Sequence, residues 1–351
     1  MKVYENLYPS ICAWETLELA YRRARRGKRS APAVADFEYN WESQLLRLQE
    51  ELVNKSYQPG PYHSFYVHDP KKRLISAAPF RDRVAHHALV AVIEPIFERQ
   101  FISDSYANRV GKGTHRALDR CTHFARRYDY VLPCDIKQHF PSIDHAILRQ
   151  ILAKPIACPE TLWLIDRILA SGIGVLGEEY DMVYFPGDDL LAAARPRGLP
   201  IGNLTSQFWS NCYLNPLDHF IKRILRCKGY LRYVDDFLLF AADKSTLHQW
   251  RAEIIAYLAS LRLTMHADRA QPRPVGEGIP FLGFVVYPDR RRLKGRKVVA
   301  YRRRLTRLWR AYQQGEVEAG QVVASLRGWL AHARHGDTWN LAKKILQPVV
   351  F

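Results

Sequence analysis

The sequence predicts an α+β fold in two parts: helices and an antiparallel sheet over residues 1–292, then a helical part over 293–351, with a short strand between the basic runs Arg290–Lys294 and Arg302–Arg304. Three observations carry this. Leu231–Phe240 reads Leu-Arg-Tyr-Val-Asp-Asp-Phe-Leu-Leu-Phe, two apolar runs of strand length with Asp235-Asp236 where a hairpin must turn. Tyr130–Ile136 and Phe281–Val286 are further short apolar runs of residues that favour pleated sheet. Beyond Arg304, apolar residues recur at helical spacing in three groups: Leu305, Leu308, Trp309 and Tyr312; Val322, Val323, Leu326, Trp329 and Leu330; Trp339, Leu341 and Ile345.

The chain of 351 residues is long enough for roughly two or three domains with a real core. Its apolar (48%) and charged (25%) shares are ordinary for a globular chain, but its net charge of +17 is not. That excess, with many aromatic residues, points to a nucleic-acid partner. The six cysteines, at 12, 121, 134, 158, 212 and 227, include no C-x-x-C pair, so neither a zinc site nor a disulfide framework is expected. The N-terminus has no signal-peptide pattern and no apolar run reaches membrane-spanning length, so a reducing, cytoplasmic setting away from membranes is expected.

Residues 11–26 are expected to be helical, ending in Arg22, Arg23, Arg25 and Arg26 before Gly27. Such a basic end suits the helix dipole and serves equally as an RNA contact. After a linker at 28–35, Phe37, Trp41, Leu45, Leu48 and Leu52 fall on one face of a second helix. Lys71–Arg83 reads as a basic strand and a proline turn, before a helix over 84–98. Its cations suit a triphosphate, or simply a solvated sheet edge. Gly111 and Gly113 flank Lys112, but no Ser or Thr follows that lysine and Tyr106 replaces the first glycine of a phosphate loop. A glycine turn before a helix from Thr114 is expected instead. Ser142 or Asp144 should cap the helix that follows Tyr130–Ile136, and 150–170 should be another apolar helix. The Gly-, Pro- and acid-rich segment 171–198 reads as a loop; its Gly187-Asp188-Asp189 mimics the later acidic pair but lacks a following apolar strand. Gly198–Gln207 leads into a helix with Phe208, Tyr213, Leu214 and Leu217, and a further helix spans 245–262.

Asp235 and Asp236 repel each other, and burial raises that cost. A divalent metal with hard oxygen ligands would remove it. Taken alone, the pair is as readily a solvated turn, and Asp135 a hydrogen-bonded strand end. Taken together, Asp135 and Asp235 are suitable suppliers for phosphoryl transfer onto a growing strand, which needs two metal ions roughly 3.5–4 Å apart. Phe140, five residues past Asp135, lies where a ring could close under a nucleotide sugar.

Six ordered blocks then resemble the reverse transcriptases of group II introns and retrons. Arg73–Arg83 resembles the first block and Phe101–Leu118 the second; Asp135-Ile-Lys-x-x-Phe with Ile143-Asp144-His145 resembles the third. Gly198–Leu217 is similar to the fourth, Tyr233-Val-Asp-Asp to the fifth and Phe281-Leu-Gly-Phe to the primer-contact block. The resemblance implies a right-hand polymerase, with fingers and palm to about residue 292 and a three-helix thumb beyond it. It implies an RNA-directed DNA polymerase using two Mg²⁺ ions, or Mn²⁺, surrounded by Asp135, Asp235, Asp236 and the carbonyl of Ile136. Arg73 and Arg81 would meet the triphosphate, Phe140 would exclude a 2′-hydroxyl, and Arg302, Arg303 and Arg304 would grip the template–primer backbone.

In the fourth block most relatives carry Pro-Gln-Gly and then Ser-Pro. This chain has Pro200-Ile201-Gly202 and then Ser206-Gln207. Those departures resemble the reverse transcriptases of diversity-generating retroelements, bacterial or phage-encoded. Such enzymes copy a template-repeat RNA into cDNA with frequent errors at adenines, beside a small basic accessory variability protein that forms a pentamer. Ile201 and Gln207 become nucleotide-site positions on this view, with Ile201 lacking the amide that would fix nucleotide geometry. The alternatives are a defence-type or retron-like reverse transcriptase and, in another class, a non-catalytic RNA-binding protein with a polymerase fold. Where relatives often place a proton-donating lysine, this chain has Arg269. Guanidinium, with a pKa above about 12, is a poor acid, so charge neutralisation is the role expected there.

Overall fold

The computed structural model describes residues 2–68 and 72–346. Four helices come first: α1 (Tyr8–Cys12), α2 (Trp14–Arg25), α3 (Pro32–Tyr39) and α4 (Trp41–Val53). A hairpin of β1 (His63–Val67) and β2 (Arg73–Ala77) follows, then α5 (Phe80–Glu98) and α6 (Thr114–Ala125). Lys71, expected in the basic strand, lies outside the described residues. Next come β3 (Tyr130–Lys137), α7 (His139–Ser142), α8 (His145–Ala153), α9 (Pro159–Ser171) and α10 (Leu204–His219). A second hairpin, β4 (Gly229–Tyr233) and β5 (Asp236–Ala241), precedes α11 (Lys244–Ser260). Short strands β6 (Thr264–Met265), β7 (Arg273–Pro274), β8 (Ile279–Phe281), β9 (Phe284–Val286) and β10 (Arg291–Leu293) lead to α12 (Gly295–Gln313), α13 (Ala319–Ala333) and α14 (Trp339–Leu346).

The central sheet runs β4-β5-β3-β6, with β7 also pairing β3, and its ladders are antiparallel. Alternation along the strands divides it cleanly. Leu132, Cys134 and Ile136 of β3 enter the larger core with Phe237, Leu239 and Ala241 of β5. Val131, Leu238 and Phe240 enter a second core under α6, β8 and β9. A sheet buried on both faces reads as unbroken apolar runs, which is why these strands stand out in the sequence. By the same alternation, Asp135 and Asp236 belong to the second face, at the end where that core stops.

The C-terminal helices have a small core of their own, with Leu305, Val322 and Ile345 buried among Leu308, Trp309, Tyr312, Leu326 and Trp329. Tyr301 stacks on Trp329 with ring centroids 4.8 Å apart. Three residues of the expected stripes are outside it: Leu330 is half-buried, Val323 is exposed and Trp339 is 74% exposed. The bundle is held to the sheet region by two hydrogen bonds between Asp337 and the Arg291 backbone. Asp337 N–H donates to the Arg291 carbonyl at 2.8 Å, and the Asp337 carboxylate accepts from Arg291 N–H at 2.8 Å.

Local expectations are corrected in several places. The helix expected over 11–26 is α1 and α2, broken at Ala13 (φ −61°, ψ 137°), and α3 begins at Pro32, inside the expected linker. The short strand expected between Lys294 and Arg302 is instead the start of α12. Phe37 and Trp41 lie on different helices, because the chain breaks at Asn40 (φ −130°, ψ 42°) between α3 and α4. Both remain structural; Trp41 stacks on Tyr21 at 5.4 Å. The apolar stretch 150–170 is likewise two helices, α8 ending at Ala153 and α9 starting at Pro159. Pro155 and Pro159 explain that break, since a proline and the residue before it resist continuing a helix. Asp144 is the cap of α8, accepting from Ile147 N–H at 3.0 Å. The segment 171–198 is a loop with two short 3₁₀ turns, as expected, but Asp188 is not a solvated acid. Its side chain is 1% exposed and pairs with Arg195 at 3.0 Å and Arg262 at 2.7 Å, fastening the loop to the end of α11. Among the described residues no helix is long and apolar enough to cross a membrane.

Candidate active site

The register of β4 on β5 pairs Tyr233 with Asp236, which leaves Val234 and Asp235 as a two-residue turn. The expected turn at Asp235-Asp236 is therefore displaced by one residue: Asp236 opens β5 and lies directly across from Asp135 on β3. Val234 has φ +57°, and Asp235 is not in the positive region. Positive φ at the first turn position alone is the pattern of a type II′ hairpin. A β-branched residue is the last type to predict there, so the register has no sequence signal.

Like charges directly across a ladder destabilise it, and Asp135 and Asp236 are so placed. Asp235 adds a third carboxylate. Burial pushes its pKa up, the charge of Asp135 pushes it further, and Arg73 on β2 pulls the other way. The fold thus gathers acidic groups at the sheet end, with oxygen donors of the kind that hard divalent ions take. The three do not close into one cluster: among the described residues no group of three or more His, Cys, Asp or Glu is placed to hold a metal ion. Asp236 is exposed, and with Asp135 it lines a pocket of about 380 Å³ shared with Arg269, Arg273, Lys294 and Leu282. Lys294 is a side chain that sequence reasoning passed over. Burial, then the charge of Arg296, holds its ammonium below the ordinary lysine range, while Asp236 opposes that shift.

The fourth block is sewn to β2. Ser76 N–H donates to the Ile201 carbonyl at 2.8 Å, and the buried Asn203 amide donates to the carbonyls of Ser76 (2.9 Å) and Pro200 (3.0 Å). Asn203 also accepts from Ala78 N–H at 3.1 Å. This staple sets Ile201 beside the strand that carries Arg73. Gly202 between them has φ +121°, and a Cβ there would meet Ile75 at 3.0 Å, so the close approach requires glycine. Phe140 is half-buried against the larger core, and its carbonyl accepts from Leu199 N–H at 2.9 Å, which joins the third block to the fourth. Gln207 is exposed on the first turn of α10.

Two groups of cations differ in how free they are. The Arg81 guanidinium is bonded to Glu51 and to the Gln58 carbonyl, and lies over the Tyr57 ring at 5.3 Å. It braces α5 against α4. Arg302, Arg303 and Arg304 are all exposed on α12, where Arg302 and Arg303 line a groove of about 730 Å³ with Arg307 and Arg310. Arg304 is not part of that groove's lining.

Residues 67–286 match the family Reverse transcriptase (RNA-dependent DNA polymerase). The chain is 26% identical over 301 residues to protein YkfC of Escherichia coli (strain K12), an alignment taking in 74% of each chain. It is 24% identical over 229 residues to the group II intron-encoded protein LtrA of Lactococcus lactis subsp. cremoris, covering 64% of this chain and 36% of that one. A 91 kDa protein in the cob intron of Schizosaccharomyces pombe is 29% identical over 154 residues, 44% of this chain and 17% of its own. This chain therefore spans about a third of the intron-encoded protein's length. The family match runs over well more than half of the sequence and takes in both carboxylate-bearing strands, the turn between β4 and β5, and the stapled fourth block. The chain belongs to the reverse transcriptases, the RNA-directed DNA polymerases.

Proposed function

We propose that this chain is the polymerase of a diversity-generating retroelement, copying a template-repeat RNA into cDNA from deoxynucleoside triphosphates with frequent errors at adenines. Residues 1–292 serve as fingers and palm behind an N-terminal helical extension, and 293–351 as the thumb. The observation that supports the reading is Asp135 paired across the ladder with Asp236, next to the turn that carries Asp235, with Ile201 held beside the Arg73 strand. Asp135, Asp235, Asp236 and the Ile136 carbonyl would hold the divalent ions. Bound there, they would supply activation of the primer 3′-oxygen and charge neutralisation at the leaving pyrophosphate. The chain's own residues do the rest. Arg73 orients the triphosphate; Arg81, tied to Glu51, supports α5 instead. Phe140 closes beneath the sugar, and the exposed arginines of α12 hold the template–primer backbone in a salt-sensitive way. Arg269 shares its pocket with Lys294, so the neutralising charge does not rest on one guanidinium. A pentameric basic accessory variability protein is the partner this class employs.

Isoleucine offers no hydrogen bond where most relatives offer an amide. One such bond is worth about 0.5–1.5 kcal/mol, or roughly two- to twelvefold in error rate. The test is cDNA sequencing after extension on an RNA template rich in all four bases, with the parent and Ile201→Gln. Errors concentrated opposite adenine in the parent, and reduced by Ile201→Gln, are expected. An even error spectrum that the substitution leaves unchanged would refute the retroelement assignment and favour a defence-type enzyme with the same catalytic centre.

A further inference from the structure

We propose that Arg232 is a positioning residue whose buried guanidinium clamps the Val234 carbonyl and thereby fixes the turn that aims Asp235. The inference rests on Asp235 being catalytic. Arg232 and Asp218 are both fully buried, Arg232 on β4 and Asp218 on α10. The pairing is two-pronged: Nε donates to one Asp218 oxygen at 2.8 Å and Nη2 to the other at 2.7 Å. Tyr230 Oη–H donates to the same carboxylate at 2.6 Å. This fork leaves Nη1 aimed in a fixed direction, and there it donates to the Val234 carbonyl at 2.9 Å and to Asn211 Oδ1 at 3.1 Å. Asn211 is itself anchored, its amide donating to the Ala107 carbonyl at 2.8 Å. The backbone of Arg232 is pinned on its other side, by Asp104 O at 2.9 Å and Tyr106 N–H at 3.0 Å.

The captured carbonyl belongs to the one peptide plane that joins Val234 to Asp235. A peptide unit is planar, so holding its oxygen also sets the direction in which the chain enters Asp235. Val234 sits there at φ +57°, a conformation a β-branched side chain resists and which persists only when surroundings impose it. A rigid planar fork suits that task better than an ammonium on a flexible stem. Without the clamp, the turn is free to relax, and the Asp235 carboxylate moves with it.

Arg232→Lys tests this, because it keeps a positive charge opposite Asp218 and removes the fork. Primer extension on an RNA template should lose roughly a hundredfold in kcat, the scale of a displacement of about 1 Å, with KM for deoxynucleotide and duplex affinity near the parent. Adding Val234→Gly should recover about tenfold of that loss, since glycine adopts positive φ without a clamp. A residue that merely stabilised the core would lower Tm and gain nothing from glycine. If Arg232→Lys does not fold, Arg232→Met with Asp218→Asn removes both charges together and leaves neither unpaired. Unchanged kcat in a folded variant, or no recovery with Val234→Gly, overturns the proposal. Asp235→Asn run alongside separates the two ideas. Active Asp235→Asn defeats the role of Asp235, whereas inert Asp235→Asn with unimpaired Arg232 variants defeats only the clamp.

Discussion

Replacing Asp235 by asparagine should move activity and stability in opposite directions. The fold raises the pKa of Asp235 by burial and by the charge of Asp135, with Arg73 too weak to reverse it. A raised folded-state pKa means that the protonated form is favoured by folding. The stability so gained is complete below the unfolded value near 3.8 and is lost as pH rises through the folded pKa. At neutral pH the ionised carboxylate is therefore a net cost to the metal-free protein. Each pKa unit of displacement corresponds to about 1.4 kcal/mol before allowance for solvent screening of a half-buried group. Asp235→Asn keeps the shape and removes that cost, so the Tm of the metal-free protein should rise by about 1–3 °C. Catalysis should fall steeply. Metal-centred charge stabilisation is worth several kcal/mol, so extension should drop by roughly three orders of magnitude. Differential scanning fluorimetry with and without Mg²⁺, primer extension, and duplex binding read the three quantities. Mg²⁺ should stabilise the parent more than the variant, and duplex binding should persist. Near-normal extension would refute the catalytic assignment, and a lower Tm in metal-free Asp235→Asn would refute the electrostatic account.

Other expectations follow from groups around that centre. Phe140→Ala should raise ribonucleotide incorporation relative to deoxynucleotide, at a stability cost below the roughly 3–5 kcal/mol of a fully buried phenylalanine; a folded variant with unchanged sugar selectivity would assign Phe140 to packing alone. Burial pushes the pKa of His86 down to about 3, and burial with the nearby Arg232 charge does the same to His139. Both are neutral in the fold and protonate near 6.5 when unfolded, so stability present above that value is lost as pH falls. The loss should reach about 2 kcal/mol for each by about pH 5, and equal denaturation midpoints at about pH 7.5 and pH 5 would contradict neutral burial.

What the sequence discloses about this site is its residue types, because phosphoryl transfer limits them. Asp135 and the acidic pair sit at the ends of apolar strands, and strands buried on both faces are the easiest to read. The bundle at the C-terminus is legible for a similar reason, since three stripes of helical period converge on one small core. The breaks at Asn40 and between Ala153 and Pro159 are less so, because apolar spacing continues across them while the backbone does not.

The charged residues are where reading by type fails, because the meaning of a charge is set by its partner. Arg81 stands in a basic block that reads as phosphate-binding, and its guanidinium also pairs with Glu51, thirty residues earlier, which no sequence signal shows. Asp188 stands in an acidic loop and mimics the later acidic pair, yet it is buried between Arg195 and Arg262. Arg232 interrupts an apolar strand and gives no sign of its role, which depends on Asp218 and on a turn with a conformation unusual for valine. A buried ion pair contributes little net stability compared with apolar packing, so stability alone does not account for this one. Its value lies in direction. Two prongs on Asp218 fix the direction of the remaining nitrogen of Arg232, which meets the carbonyl beside Asp235 and the Asn211 side chain.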